Sequence, residues 1–165
     1  MSFNERNKAG QASENLVRLD LESRGWKVEN YGREIFSAGL NRVLTDWRDE
    51  KSRPCYLGWN PDFVIWNPQL LQRNLYCVDV KRVYTGYHIA RRALDTYVTY
   101  EDSFNIPVVI VFELNEELKA IAAGKAALAA IPRDGNPEAG SGQPMYRVDL
   151  NQMSPMERFF GPKRS

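Results

Sequence analysis

Three side chains stand out for the chemistry their types and spacing allow. Pro61-Asp62 opens one short apolar run, Asp62-Phe63-Val64-Ile65-Trp66. Asp79-Val80-Lys81 closes another that starts at Leu75, with sixteen residues between the two aspartates. Asn67-Pro68 and polar residues separate the runs, which therefore read as a strand pair. Such a pair can bring both carboxylates to one sheet end, where oxygen ligands suit a hard divalent cation. Side chains alternate along a strand, so Asp79 and Lys81 share one face and Val80 packs on the other. Asp79 interrupts an apolar run at a point where a purely structural strand would continue, and two acids near one cation repel each other in the absence of metal. The alternative is a structural one, with Asp62 as a turn residue after proline and Asp79 and Lys81 as an exposed charge pair.

Other chemistries are narrowed by composition. Two cysteines, Cys55 and Cys77, and one histidine, His88, supply neither a disulfide framework nor the Cys/His set of a zinc site. A net charge of +1 gives no global footprint for nucleic acid, so any such contact must be a local patch. The most basic stretch runs from Lys81 to Leu94. It holds Lys81, Arg82, Arg91 and Arg92 with Tyr84, Tyr87 and His88 interleaved and no acid. Those types can neutralise phosphates and stack on bases, although Arg91 could equally pair with Asp95 on a solvated helix face. Arg158, Lys163 and Arg164 form a weaker basic tail end, read either as a contact to a phosphate backbone or as a disordered terminus. Trp26, Trp47, Trp59 and Trp66 read as packing residues.

These groups need elements to hold them. A helix is expected from a Ser2…Glu5 capping box to Arg24, stopped by Gly25. Glu14 on that helix shares a stripe with Gly10, Val17 and Leu21, which would turn it toward the sheet. The competing stripe of Ala9, Ala12, Leu16 and Leu19 would leave it in solvent. A strand is expected over 26–31, with Ile35-Phe36 extending that region, and then the strand pair. A helix over 88–104 follows, with Ile89, Ala93, Tyr97, Tyr100 and Phe104 on one face. Pro107-Val108-Val109-Ile110-Val111-Phe112 has the unbroken apolar character of a doubly covered central strand. Asn115 to Ile131, alanine-rich and opening Asn-Glu-Glu, reads as a further helix. A turn-rich stretch over 132–144 precedes an edge strand over 146–150. The order is α-β-β-β-α-β, then α and β.

With this order, Pro61-Asp62 and Asp79-Val80-Lys81 resemble the PD-(D/E)XK nuclease superfamily, which includes restriction endonucleases, Holliday junction resolvases and repair nucleases. Acid-x-Lys occurs three times in the chain, but Asp49-Glu50-Lys51 precedes Pro61 and Glu117-Leu118-Lys119 falls in an expected helix. The resemblance covers about residues 5–113 and leaves 115–165 as an elaboration. It implies an α/β, restriction-endonuclease-like αβββαβ core with a mixed central sheet and an additional C-terminal helix and strand. It implies Mg²⁺, or Mn²⁺, held by Asp62, Asp79 and the Val80 carbonyl, with Lys81 orienting or deprotonating the attacking water. Glu14 matches a glutamate that resolvase-like members carry on their first helix. The substrate implied is DNA rather than RNA, cut by an endonuclease of resolvase-like structure specificity, with a homodimer as the form a resolvase would take. The helix after Lys81 lacks the glutamine found in some exonuclease-like members. The rival expectation is a catalytically silent protein of the same fold that binds nucleic acid or a protein partner.

At 165 residues the chain is expected to form one domain able to bury its own core. Its 43% hydrophobic and 26% charged residues fit a folded domain rather than a disordered or fibrous chain. No apolar run reaches the length of a membrane helix and the start lacks an apolar leader, so a cytoplasmic location with no membrane partner is expected.

Overall fold

The computed structural model describes residues 3–31, 60–83, 87–132 and 145–164. Of what was singled out above, Ser2, Ile35, Phe36, Trp47, Asp49-Glu50-Lys51, Cys55, Trp59, Tyr84 and the turn-rich stretch from 133 to 144 lie outside them. Helix α1 spans Phe3–Ser23 and ends before Gly25, whose φ of +87° needs the freedom of a glycine. Strands β1 (Lys27–Asn30), β2 (Phe63–Trp66) and β3 (Leu75–Arg82) follow as an antiparallel meander. Strand β4 is His88–Ala90, helix α2 is Arg91–Phe104 and strand β5 is Val108–Leu114. Beyond them come β6 (Glu117–Ala122), α3 (Ala123–Ala129), β7 (Ile131–Pro132), β8 (Met145–Arg147), a 3₁₀ turn at Leu150–Gln152, β9 (Ser154–Pro155) and α4 (Glu157–Phe160).

The central sheet has the order β1-β2-β3-β5-β6-β9, and its one parallel pair is β3 with β5. That pair needs a crossover, which α2 supplies. A small second sheet, β4-β8-β7, caps the side carrying α2. Strand alternation sends the core to both faces. On one face Cys77, Ile110 and Phe112 meet Leu94 and Tyr97 of α2; on the other Val78, Val109 and Val111 meet Val17 and Leu21 of α1 and Phe160 of α4. Every residue of β5 from Val108 to Glu113 is buried, as its apolar run requires of a doubly covered strand.

Three boundaries differ from the sequence reading; the edge strand expected over 146–150 is Met145–Arg147, and Leu150 already belongs to a 3₁₀ turn. The stretch expected to be a helix from Asn115 begins instead as a hairpin, in which Leu114 pairs with Glu117 and β6 runs back along β5. Asn115 and Glu116 have φ of +51° and +68°, the two positive values of a tight turn that matches strand twist. Helix is confined to Ala123–Ala129. Alanine propensity is overridden because Ala120 and Ile121 are fully buried in opposite faces of the sheet. His88, Ile89 and Ala90 likewise form β4, paired with Arg147, Tyr146 and Met145, before α2 begins.

The competition between the two stripes of α1 is resolved by burial. Val17 and Leu21 are 0% exposed, whereas Leu19 is 64% exposed. Leu21→Ala should cost about 2–5 kcal/mol in urea unfolding, because a full cavity opens against the sheet. Leu19→Ala should change stability by less than about 0.5 kcal/mol.

Candidate active site

The site is built where β2 begins and β3 ends. Phe63 pairs with Val78, so one further step places Asp62 opposite Asp79. Asp62 is held from two sides. Its carbonyl accepts the Tyr31 N–H at 2.8 Å, and its Oδ2 accepts the backbone N–H of Val80 at 2.6 Å. Asp79 is 2% exposed, its Oδ1 taking a 2.5 Å hydrogen bond from the Tyr97 hydroxyl. Lys81 Nζ lies 2.6 Å from Asp79 Oδ2. That contact is an ion pair, since Oδ2 has no well-directed hydrogen bond among the described residues. Val80 turns to the opposite face and packs against the α1 cluster, as strand alternation requires.

The charges of this cluster are interdependent. Burial, and then the charge of Asp79, push the Asp62 carboxyl up from 3.8 to about 8, against the opposing pull of Lys81 and the Val80 N–H. Burial disfavours the Lys81 ammonium, but Asp79 and Asp62 outweigh it and hold its pKa above the ordinary value. Burial and the two aspartates keep the Tyr97 phenol protonated. The cluster therefore favours the protonated form of Asp62, of Lys81 and of Tyr97.

Glu14 is half-buried on the sheet-facing side of α1, and its charge is felt at both Asp62 and Lys81. One turn on, Arg18 fastens the helix. Its Nη1 donates to the Val28 carbonyl at 2.9 Å, its Nη2 to the Asn30 side chain, and its guanidinium sits 4.9 Å over the Phe63 ring. Glu14, Asn30 and Phe63 line an open groove of about 560 Å³ beside the site.

Among the described residues no three His, Cys, Asp or Glu side chains converge closely enough to form a metal cage. The donors present are Asp62, Asp79 and the Val80 carbonyl. They suit an oxygen-liganded cation in two respects. Asp79 Oδ2 is a buried oxygen that meets the Lys81 ammonium without a well-directed hydrogen bond, and the burial and the Asp79 charge that raise the Asp62 pKa are penalties a cation would relieve.

The basic stretch has partners of its own. Arg82 donates to the Ala9 carbonyl at 3.2 Å and lies 3.7 Å from Glu113, tying α1 to the sheet. Arg91 lies 3.8 Å from Asp95 and 6.0 Å from the Tyr146 ring centre. The Tyr87 ring packs edge-on against Phe112, and His88 and Arg92 are half-buried on β4 and α2. Tyr84 falls outside the described residues.

Sequence reasoning missed the groups that hold the aspartates. Tyr97 entered only as a stripe position, yet its hydroxyl fixes Asp79. Tyr100, one turn further, donates to Asn60 at 2.9 Å and so steadies the segment leading into Asp62. The available signal was two tyrosines on a helix face bound for the core, since a buried phenol needs an acceptor. Buried Glu113 was also missed. It accepts from Ser13 Oγ at 2.9 Å and from the Glu116 N–H at 2.9 Å.

The site is thus an acid pair at the ends of two neighbouring strands, Asp79 buried and Asp62 half-buried, with a lysine two residues on, set on an α/β sheet flanked by helices. No protein-family model matches the chain and no curated protein sequence matches it significantly. Solved structures do match. Holliday junction resolvase Hjc of the archaeal hyperthermophile Archaeoglobus fulgidus superposes with a TM-score of 0.55 at 12% identity, covering 95% of this chain and 99% of the resolvase. D212, a nuclease from a fusselovirus, gives 0.49 at 11% identity, covering 94% and 88%. The likeness to Hjc shows that the two chains share a fold.

The Asp62 carboxyl binds its proton more tightly in the folded chain than in the unfolded one. Folding stability must therefore fall as pH rises from about 3.8 through about 8. In chelator, Asp62→Asn should raise the thermal midpoint above the native value at pH beyond about 8 and leave it unchanged below about 3.8. Each kcal/mol relieved should appear as about 2–4 °C in a melt followed by circular dichroism.

Proposed function

We propose that the chain is a metal-dependent endonuclease that hydrolyses phosphodiester bonds in DNA, with resolvase-like preference for branched structure. The observation that carries this reading is the meeting of Asp62, Asp79 and Lys81 at the ends of β2 and β3, within electrostatic reach of Glu14. An exposed structural charge pair would not leave Asp79 2% exposed among Tyr97, Lys81 and Asp62.

Mg²⁺ or Mn²⁺ would be held by Asp62, Asp79 and the Val80 carbonyl, and when bound would polarise the phosphoryl oxygen and acidify water. The chain's own residues supply the rest. Tyr97 fixes Asp79 through one oxygen and leaves the other facing the lysine. Lys81 keeps its proton at neutral pH, so it donates to the attacking water or a phosphoryl oxygen and orients it rather than taking a proton from it. Glu14, anchored by Arg18, adds negative charge at the open groove.

Supercoiled, linear duplex, single-stranded and four-way-junction DNA should be compared with Mg²⁺ or Mn²⁺ present. Asp79→Ala and Lys81→Ala should each lower the cleavage rate by about 10²-fold or more. Cleavage confined to the junction supports the resolvase-like preference, whereas equal cutting of all four removes it. A native protein that cuts none but retards DNA in a gel would overturn the enzymatic reading.

Cation binding must displace the Asp62 proton. Calorimetric titration of Mn²⁺ in buffers of different ionisation enthalpy should show about one proton released per site near neutral pH. Asp62→Asn should abolish that release.

A further inference from the structure

At the far end of the sheet lies a second cavity that the cleavage reading does not use. It has a volume of about 480 Å³, within the range of small-ligand sites. It opens between α4 with the segment after it and the turn joining β2 to β3. Five lining residues are basic, Arg24, Arg73, Arg158, Lys163 and Arg164, and none is acidic. In a chain of net charge +1, that is a strong local excess.

Asp20, beside the cavity, answers only two of these cations. It lies 2.7 Å from Arg24 and 3.0 Å from Lys163, and although burial opposes its charge, those partners hold its carboxyl below the ordinary value. Among the described residues, Arg73, Arg158 and Arg164 have no carboxylate partner.

The cavity is built rather than casual. The Arg24 guanidinium also donates to the Gly161 carbonyl, and the Arg164 N–H donates to Ser23 at 2.8 Å. The Arg164 guanidinium lies across Gly25, where a β-carbon would sit 2.1 Å from it. On the opposite wall the turn is pinned by Asn67, whose N–H donates to the Asn74 carbonyl at 2.9 Å and whose side chain accepts the Gln69 N–H at 3.1 Å. Trp26 and Tyr76 form an apolar floor, joined edge-on at 5.5 Å.

We propose that this cavity is a second anion site that takes phosphate groups, separate from the candidate cleavage centre. Three arginines without a carboxylate partner, Arg73, Arg158 and Arg164, line this one space, and guanidiniums suit phosphate oxygens in charge and in paired hydrogen bonding. Tyr76 and Lys81 lie five residues apart on β3, which is about 17 Å of strand. A phosphate held here is out of reach of Asp62 and Lys81 and acts by retaining the bound molecule. The phosphate can belong to a nucleic-acid strand or to a free nucleotide or phosphate ion, and two measurements separate these sources.

In chelator, anisotropy of a labelled short duplex should be measured against salt for the native protein and for Arg73→Gln/Arg158→Gln, both exposed positions. Loss of two phosphate contacts should weaken binding at low salt by tenfold or more. The slope of log affinity against log salt should become shallower by about 1.8. Thermal melts with inorganic phosphate form the second arm. A native midpoint raised by phosphate and a variant midpoint left unmoved, with duplex binding equal in both, assigns the cavity to small phosphates. Equal duplex affinity, equal slope and equal phosphate response in native and variant proteins overturn the proposal. Its fate is independent of cleavage. Asp79→Ala can abolish cutting while the cavity variant binds normally, and the reverse result retains the cavity and removes the nuclease.

Discussion

A carboxylate at 2% exposure is costly unless its charge is answered, and the elements around β3 are arranged to answer that of Asp79. Tyr97 reaches it from α2 and Lys81 from two residues along the same strand, while burial and then the Asp79 charge push the Asp62 carboxyl of the neighbouring strand toward its protonated form. Removing one partner would leave a buried charge uncompensated. That dependence fixes the seat of α2 on the sheet, the register of β2 against β3 and the protonation of the whole cluster at once.

The parallel pairing of β3 with β5 is the second requirement. It places the reactive end of β3 beside the buried end of β5, where Glu113 takes the Ser13 hydroxyl and draws in α1. Ser13 and Glu14 are adjacent, so the bond that holds one to the sheet sets the height of the other at the groove. Structural and chemical carboxylates are thus neighbours in the fold. Glu113 locks the helix and Glu14 faces the open side.

Much of this was legible in the residues. The strand pair and the central strand follow from unbroken apolar runs, the shared face of Asp79 and Lys81 from period-two alternation, and Val17 and Leu21 marked the buried stripe of α1. The errors arose where local preference and tertiary context diverge. Alanine-rich sequence after Asn115 has helical propensity, but two residues able to hold positive φ turned it into a hairpin that buries Ile121. The hydroxyls of Tyr97 and Tyr100 were invisible because helical periodicity reports only that a side chain is inward, not which polar atom awaits it. The basic stretch read as an interface by composition, and its Arg82 and Arg91 also make ion pairs within the chain, the second of which the i, i+4 spacing to Asp95 had offered. The acid-free cavity at the other end draws on Arg24, Arg73 and the basic cluster near the chain end, residues too far apart in sequence to show as a patch.

Among the described residues the outermost strands of the six-stranded sheet are β1 and β9. The first presents Lys27 and Glu29 to solvent, and the second is two residues long and carries Pro155, which has no N–H to donate. Neither is a good template for another strand. Among the described residues, both outer edges of this sheet therefore disfavour continuation into the strand of a second molecule.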